Sequence, residues 1–353
     1  QPVDRPADAH WLDAHDNLVL PGFIDLHIHG GRGFDVMDGT VEAIHGLAAH
    51  LAAHGVTGFL ATTVTASLAD TIAAASVVRQ ARSAPCPGAA VLGMHIEGPY
   101  LNPKQSGAQN LAHIRPPSIA EMEQIIAASG DCVRMVTLAP ELEGGHEFVT
   151  FLRRRGIIAS LGHSDATYEQ ALVALDAGVT HITHLFNAMR PFHHREPGII
   201  AVALSDQRVM VDIIADGLHV HPAAVRLLIQ ARGTQGTVLI SDAVRGAGLP
   251  YGCYLMSGRT IHTSEMGART PEGKLAGSLL TLEVALRNVL CWTELPLERA
   301  WVMTSLNQAR ELGLEARKGS IEVGKDADLV ICTPNLDVLT TMVGGRIVYQ
   351  QDG

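Results

Sequence analysis

Eight times along this sequence a short run of β-branched and apolar residues ends on polar side chains and gives way to an Ala/Leu-rich amphipathic stretch. The runs read as strands over 22–29, 58–65, 90–97, 133–139, 157–163, 180–185, 209–216 and 237–242. Strands that alternate with helices pair in parallel, since each crossover returns the chain to the same end of the sheet. Eight such units close into a (β/α)8 barrel more readily than they extend an open sheet. The barrel is expected over 21–310. Ser118 stands three residues before Glu121, the spacing of a capping box, and Ser164 or Asp165 is placed to open the helix over 168–176. From 319 to 349 the helical pattern stops. Runs at 328–332 and 338–343, with Gly344 and Gly345 turning into Ile347 and Val348, predict strands. Together with 1–20, the tail 311–353 is expected to build a small β-sandwich domain from the two chain termini.

Composition narrows the partners. Lys and Arg number 26 against 36 Asp and Glu, a formal charge of −10 over 353 residues. That balance excludes nucleic acid and an anionic membrane surface, both of which need a dominant basic patch. An anionic ligand needs a local positive site instead. The five cysteines (Cys86, Cys132, Cys253, Cys291, Cys332) form no CxxC pair and are odd in number, so a disulfide framework is not expected. No basic-then-apolar leader opens the sequence and no apolar run reaches membrane-spanning length. A soluble protein of the cytoplasm is expected.

Histidine is the unusual residue, at 18 in the chain. In a (β/α)8 barrel the reactive groups collect at the carboxyl ends of the strands. There the first run carries Asp25, His27 and His29 on one face by the period of two. The third ends on His95-Ile96-Glu97, the fifth on His163, the sixth on His184, the seventh on Asp216 followed by His219, and the eighth on Asp242. Imidazole with carboxylate suits zinc, iron or manganese, so His27, His29, Glu97, His163 and His184 offer ligands for one or two divalent ions. Asp242 stands alone after Val238-Leu239-Ile240; it either ligates a metal or carries the proton of an activated water.

Several segments resemble the N-acetylglucosamine-6-phosphate deacetylases of the amidohydrolase superfamily. They are PGFIDLHIHG at 21–30, HIEGPYLN at 95–102, LGHSDA at 161–166, HLFNAM at 184–189, REPG at 195–198, ADGLH at 215–219 and SDA at 241–243. The HxH pair alone is shared with dihydroorotases, hydantoinases and deaminases; EGP and HLFNAM are more specific. The resemblance implies Glu97, His163 and His184 as ligands of the principal metal, with His27 and His29 able to hold a second ion and Glu97 shared. It implies Asp242 as general acid and base. It further implies a phosphate pocket from the backbone amides of Asn187 and Ala188 with Arg195 and His219, and a homodimer whose phosphate cations partly cross the interface. Two departures stand out. Gln109 occupies the place of a usual histidine, where it can donate a hydrogen bond to an acetyl oxygen but carries no charge. The segment before the first motif is also shorter than in the family, so the small domain is expected to be thin there or to lack preceding residues.

The expected activity is metal-dependent deacetylation of N-acetylglucosamine 6-phosphate. A relative acting on N-acetylgalactosamine 6-phosphate or on an N-acyl amino acid is the rival enzyme; a metal-containing regulatory binding protein is the rival without chemistry. Asp242 argues against the last, because a structural metal needs no free carboxylate. Arg195 is alternatively half of a surface pair with Glu196. His193 and His194 read as solvated rim, His181 as packed against a helix, and His95 as a hydrogen-bond partner of a ligand. The loop 271–277 matches no phosphate-binding P-loop and reads as a mobile cover after strand eight.

Overall fold

The computed structural model describes residues 12–351; the expectations for 1–11 and 352–353 lie outside the described residues. Each of the eight runs forms a strand: β1 Phe23–Ile28, β2 Val56–Thr63, β3 Ala90–Glu97, β4 Val133–Leu138, β5 Ile158–Leu161, β6 Val179–Ile182, β7 Met210–Ile213 and β8 Thr237–Leu239. They pair in parallel in chain order. β8 and β1 close the ring without a regular ladder. Just beyond β8, Asp242 N donates to His27 O at 2.8 Å, and Ala243 O accepts from His29 N at 2.9 Å and Gly30 N at 3.0 Å. One helix follows each strand: α1 Val41–Ala52, α2 Leu68–Ser83, α3 Ile119–Ser129, α4 Gly145–Arg154, α5 Tyr168–Ala177, α6 Gly198–Ser205, α7 Pro222–Arg232 and α8 Leu282–Thr293.

Burial on both faces explains why the strands read as continuous apolar runs: every residue of β1 and β2 is buried. The helices bury one stripe each, as with Ala74, Ala75, Val78 and Ala81 of α2. Two helix starts differ from expectation. Ser118 caps α3 by accepting from Glu121 N, but the Glu121 carboxylate does not return to the cap. It accepts instead from Arg115 Nε at 2.8 Å and Tyr100 OH at 3.2 Å. α5 opens on Thr167, whose box with Gln170 is complete, while Ser164 and Asp165 are drawn to Glu141.

Between β8 and α8, ahead of the loop expected at 271–277, the chain builds a three-stranded antiparallel sheet that no sequence pattern announced: β9 Cys253–Met256, β10 Arg259–Ser264 and β11 Gly267–Arg269. Ser257 and Gly258 turn the first hairpin at φ 47° and 77°, as a two-residue turn requires. Met256, Ile261 and Ala268 pack with Val244 and Ala276 as a small core of their own. Of the sandwich expected from the termini, the described residues show one four-stranded antiparallel sheet. Strand Leu18–Pro21 pairs with β12 Leu329–Cys332, followed by β13 Val338–Val343 and β14 Arg346–Gln350. Among the described residues no helix is long and apolar enough to cross a membrane.

Candidate active site

The barrel brings the strand-terminal residues together. His27 and His29 share a face of β1 and its end, Glu97 ends β3, and His163, His184 and Asp242 lie just past β5, β6 and β8. The last three adopt left-handed backbone conformations, at φ 49°, 32° and 48°. Each costs on the order of 1–3 kcal/mol for a residue with a Cβ, strain that concentrates where a side chain must be aimed. Gly277, at φ 58°, lets the covering loop approach; a Cβ there would lie 2.8 Å from the Asp242 carbonyl oxygen.

Two groups of three ligand atoms result, Glu97–His163–His184 and His27–His29–Asp242, all buried and within 4.8 Å of one another in each group. In the first, Glu97 Oε1 lies 3.2 Å from His163 Nε2 and 3.1 Å from His184 Nε2, and the two nitrogens are 3.2 Å apart. In the second, His27 Nε2 and His29 Nε2 are 3.3 Å apart, and Asp242 Oδ1 lies 3.5 Å and 3.1 Å from them. Glu97 joins the groups, its two oxygens each 3.4 Å from His27 and His29 respectively. Ligand bonds of about 2.0–2.1 Å in a tetrahedral shell leave neighbouring donor atoms roughly 3.3 Å apart, so both groups fit a divalent cation.

The electrostatics agree with that fit. Burial alone would raise the Glu97 carboxyl, but His27, His163 and His184 hold it well below the usual carboxylate range. Asp242 is likewise held low, with the His27 and His29 imidazoles overcoming its burial. His29 is raised well above the usual imidazole value and His184 to about 9, their carboxylate partners overcoming desolvation. Two buried anions thus demand positive charge, which protonated imidazoles or metal ions can supply.

His29 is oriented by Nδ1 against Thr62 O at 3.2 Å and His163 by Nδ1 against Gln105 O at 2.9 Å. Gln109 donates from Nε2 to Glu97 Oε2 at 2.6 Å and accepts from Thr65 N at 2.8 Å. It therefore braces the shared ligand from the position where the resemblance expects a histidine. Asp25, on the same face as His27, sits below the site and accepts from His27 N at 3.2 Å; burial pushes its carboxyl up to about 6 despite hydrogen bonds from Ser241 and His27. His95 does not reach a ligand side chain by hydrogen bond. It meets Leu26 O at 3.1 Å and Thr137 Oγ1 at 2.8 Å, and packs edge-on against the His27 ring at 4.7 Å.

These groups open onto a cavity of about 400 Å³ lined also by Gln109, Asn187, Ala188, His219, Arg269 and Lys274. His219 Nδ1 is held by Asp216 Oδ2 at 2.7 Å, leaving Nε2 for a ligand. The amide of Asn187 already donates to His184 O at 2.9 Å, so an anion would compete for it. Arg195 does not line the cavity: it is exposed, with Nη1 2.7 Å from His194 Nε2. Nor does it pair with Glu196, whose Oε1 accepts from Tyr168 N at 3.1 Å. Arg269 and Lys274 are the lysine and arginine side chains that do line the cavity, and sequence reasoning missed both. Lys274, flanked by Gly273 and Gly277 in the loop read as a cover, was the available signal.

Comparison with known proteins agrees with this geometry. Residues 18–348 match the amidohydrolase family. The N-acetylglucosamine-6-phosphate deacetylase of Bacillus subtilis is 39% identical over 353 residues, spanning 98% of this chain and 89% of the relative. The N-acetylgalactosamine-6-phosphate deacetylase of Escherichia coli O157:H7 is 40% identical over 343 residues, spanning 97% and 91%. A solved structure of a mutant N-acetyl-D-glucosamine-6-phosphate deacetylase from Mycobacterium smegmatis, in complex with N-acetyl-D-glucosamine-6-phosphate, superposes with a TM-score of 0.89 at 36% identity. It covers 95% of this chain and 87% of that one. With its strand-end ligand groups, its closed ring of eight strands and a match over nearly its whole length, this chain belongs to the amidohydrolase family.

Proposed function

We propose that the protein hydrolyses the acetamide of N-acetylglucosamine 6-phosphate, releasing glucosamine 6-phosphate and acetate. The observation that carries this is Asp242, a member of the second of two adjoining metal-fitting groups, in a cavity that also presents cations, the minimum set for hydrolysing an amide on an anionic sugar. A divalent ion held by Glu97, His163 and His184, with or without a second at His27 and His29, would make hydroxide available near neutral pH and polarise the acetyl carbonyl. Zinc, iron and manganese all suit this donor set.

The protein's own groups move the proton. Asp242 takes a proton from the attacking water as the new C–O bond forms at the acetyl carbon. It then returns that proton to the sugar nitrogen as the C–N bond breaks, so one carboxyl serves as base and then acid. Gln109 lines the cavity and keeps a second Nε2 hydrogen for the oxygen on which negative charge develops, while His184 acts there through the metal it would hold. For the phosphate we assign the Asn187 and Ala188 backbone, His219 and Arg195, with Arg195 required to swing toward the cavity or to reach across a homodimer interface. Catalysis is assigned to 21–310 and the sheet from both termini to a separate small unit. The absence of any disulfide among the five cysteines supports a cytoplasmic setting.

The equal similarity to the Escherichia coli galactosamine enzyme makes the epimer the alternative. Acetate release from both 6-phosphosugars, from N-acetylglucosamine and from an N-acyl amino acid separates these readings. The highest kcat/KM is expected for N-acetylglucosamine 6-phosphate. A higher value for N-acetylgalactosamine 6-phosphate would move the assignment to that epimer, and no acetate from either phosphosugar would overturn it.

A further inference from the structure

Unlike His29 and His163, His184 has no anchor on its ring. Among the described residues its buried Nδ1 has no hydrogen-bond partner, and its backbone lies at φ 32°. Support comes through the main chain. The His184 amide donates to Asp212 Oδ1 on the neighbouring β7, and the Leu185 amide donates to the Asp212 carbonyl at 3.0 Å. Asp212 is fully buried, and its second oxygen, Oδ2, accepts from His181 Nε2 at 3.0 Å. His181, also fully buried, donates from Nδ1 to Glu311 Oε2 at 2.8 Å. Both nitrogens of His181 face carboxylates, so both carry protons and the ring is a cation between two anions. The chain Glu311–His181–Asp212 leaves Asp212 one orientation, with Oδ1 directed at the His184 amide.

We propose that Asp212, clamped by His181 and Glu311, is a positioning residue that fixes the strained backbone of His184 and so aims its Nε2 at Glu97 and His163. It touches neither substrate nor metal. The proposal rests on the reading of Glu97, His163 and His184 as a metal site. Groups that orient a ligand from behind typically change metal affinity 10- to 100-fold when removed. Asparagine at 212 can keep its oxygen on the His184 amide only by turning its NH2 to His181, which must then give up its Nε2 proton, so the charged clamp becomes a neutral one at nearly constant volume. The double variant His181→Phe/Asp212→Ala removes the two fully buried charges and leaves only the partly exposed Glu311 carboxylate to water; apolar replacement of buried ions is often neutral for folding.

The test is zinc affinity measured by competition with a chromophoric chelator, with the visible absorption of the cobalt-substituted protein and the melting temperature of the metal-free protein alongside. Asp212→Asn is expected to bind zinc at least 10-fold more weakly with an altered cobalt spectrum. The double variant should melt near wild type and still bind weakly, which a merely structural role would not produce. Zinc affinity within threefold of wild type and an unchanged cobalt spectrum in either folded variant would overturn the proposal while leaving the metal site intact. A wild-type protein that binds neither zinc nor cobalt would overturn the metal site and the proposal together.

Discussion

Replacing Asp242 with asparagine separates proton transfer from metal binding. Asp242 Oδ1 lies 3.1 Å from His29 Nε2 and 3.5 Å from His27 Nε2, so asparagine retains an acceptor oxygen of the same reach but cannot take a proton. Loss of a general acid/base costs about 10²- to 10⁴-fold in rate, which at 1.36 kcal/mol per decade is about 2.7–5.4 kcal/mol of transition-state stabilisation. The group Glu97–His163–His184 loses nothing, and metal content should fall by no more than the ion beside His27 and His29. Because the neighbouring imidazoles hold Asp242 below the usual carboxylate range, its basic form is already present at neutral pH. Its loss should remove the acid-side limb of the kcat/KM profile, unless an activated water titrates in the same region and the two are coupled. The assay is acetate release across pH with metal content measured on the same samples. Acetate release near the wild-type rate with metal retained would refute the reasoning, and His219 would then be the base to examine.

Arg195→Ala should lose about 2 kcal/mol or more of kcat/KM toward the phosphosugar and little toward the unphosphorylated sugar, as expected for a charge-assisted pair; equal losses would make Arg195 structural. Lys274→Met, within the cavity lining, should raise KM for the phosphosugar severalfold, checked by steady-state kinetics at two salt concentrations. Elemental analysis after reconstitution should approach two ions per chain, roughly 3.5–4 Å apart by anomalous scattering, and never exceeding one would remove the second site. His181 supplies a pH test of stability. Burial would lower its pKa, but Asp212 and Glu311 hold it up at about 9, above the unfolded value near 6.5. Its stabilisation is therefore full below about pH 6.5 and lost as pH rises through 9, on the order of 3 kcal/mol. Denaturant unfolding of wild type minus His181→Phe should show that difference shrink between pH 6 and pH 10.

What could be read without coordinates follows from locality. Eight βα alternations place each strand end, and the period of two puts His27 and His29 on one face. The barrel rule alone then gathers Glu97, His163, His184 and Asp242. What stayed hidden depends on long-range pairing or weak local pattern. His181 meets Glu311 130 positions away, so no spacing announces a buried ion chain behind His184. The sheet β9–β11 alternates buried and exposed residues but carries Arg259, Thr260 and Ser264, and its small core closes only against Val244 and Ala276. The start of α5, expected at Ser164 or Asp165, falls instead on Thr167, itself a capping residue, because Glu141 draws off the first two.

The most direct measurement is acetate released from N-acetylglucosamine 6-phosphate by the purified chain, before chelation, after complete metal removal, and after return of zinc, iron or manganese. One acetate per glucosamine 6-phosphate is expected, falling by at least 10²-fold when the metal is removed and recovering when it is restored. Undiminished acetate release from the metal-free protein would contradict the account.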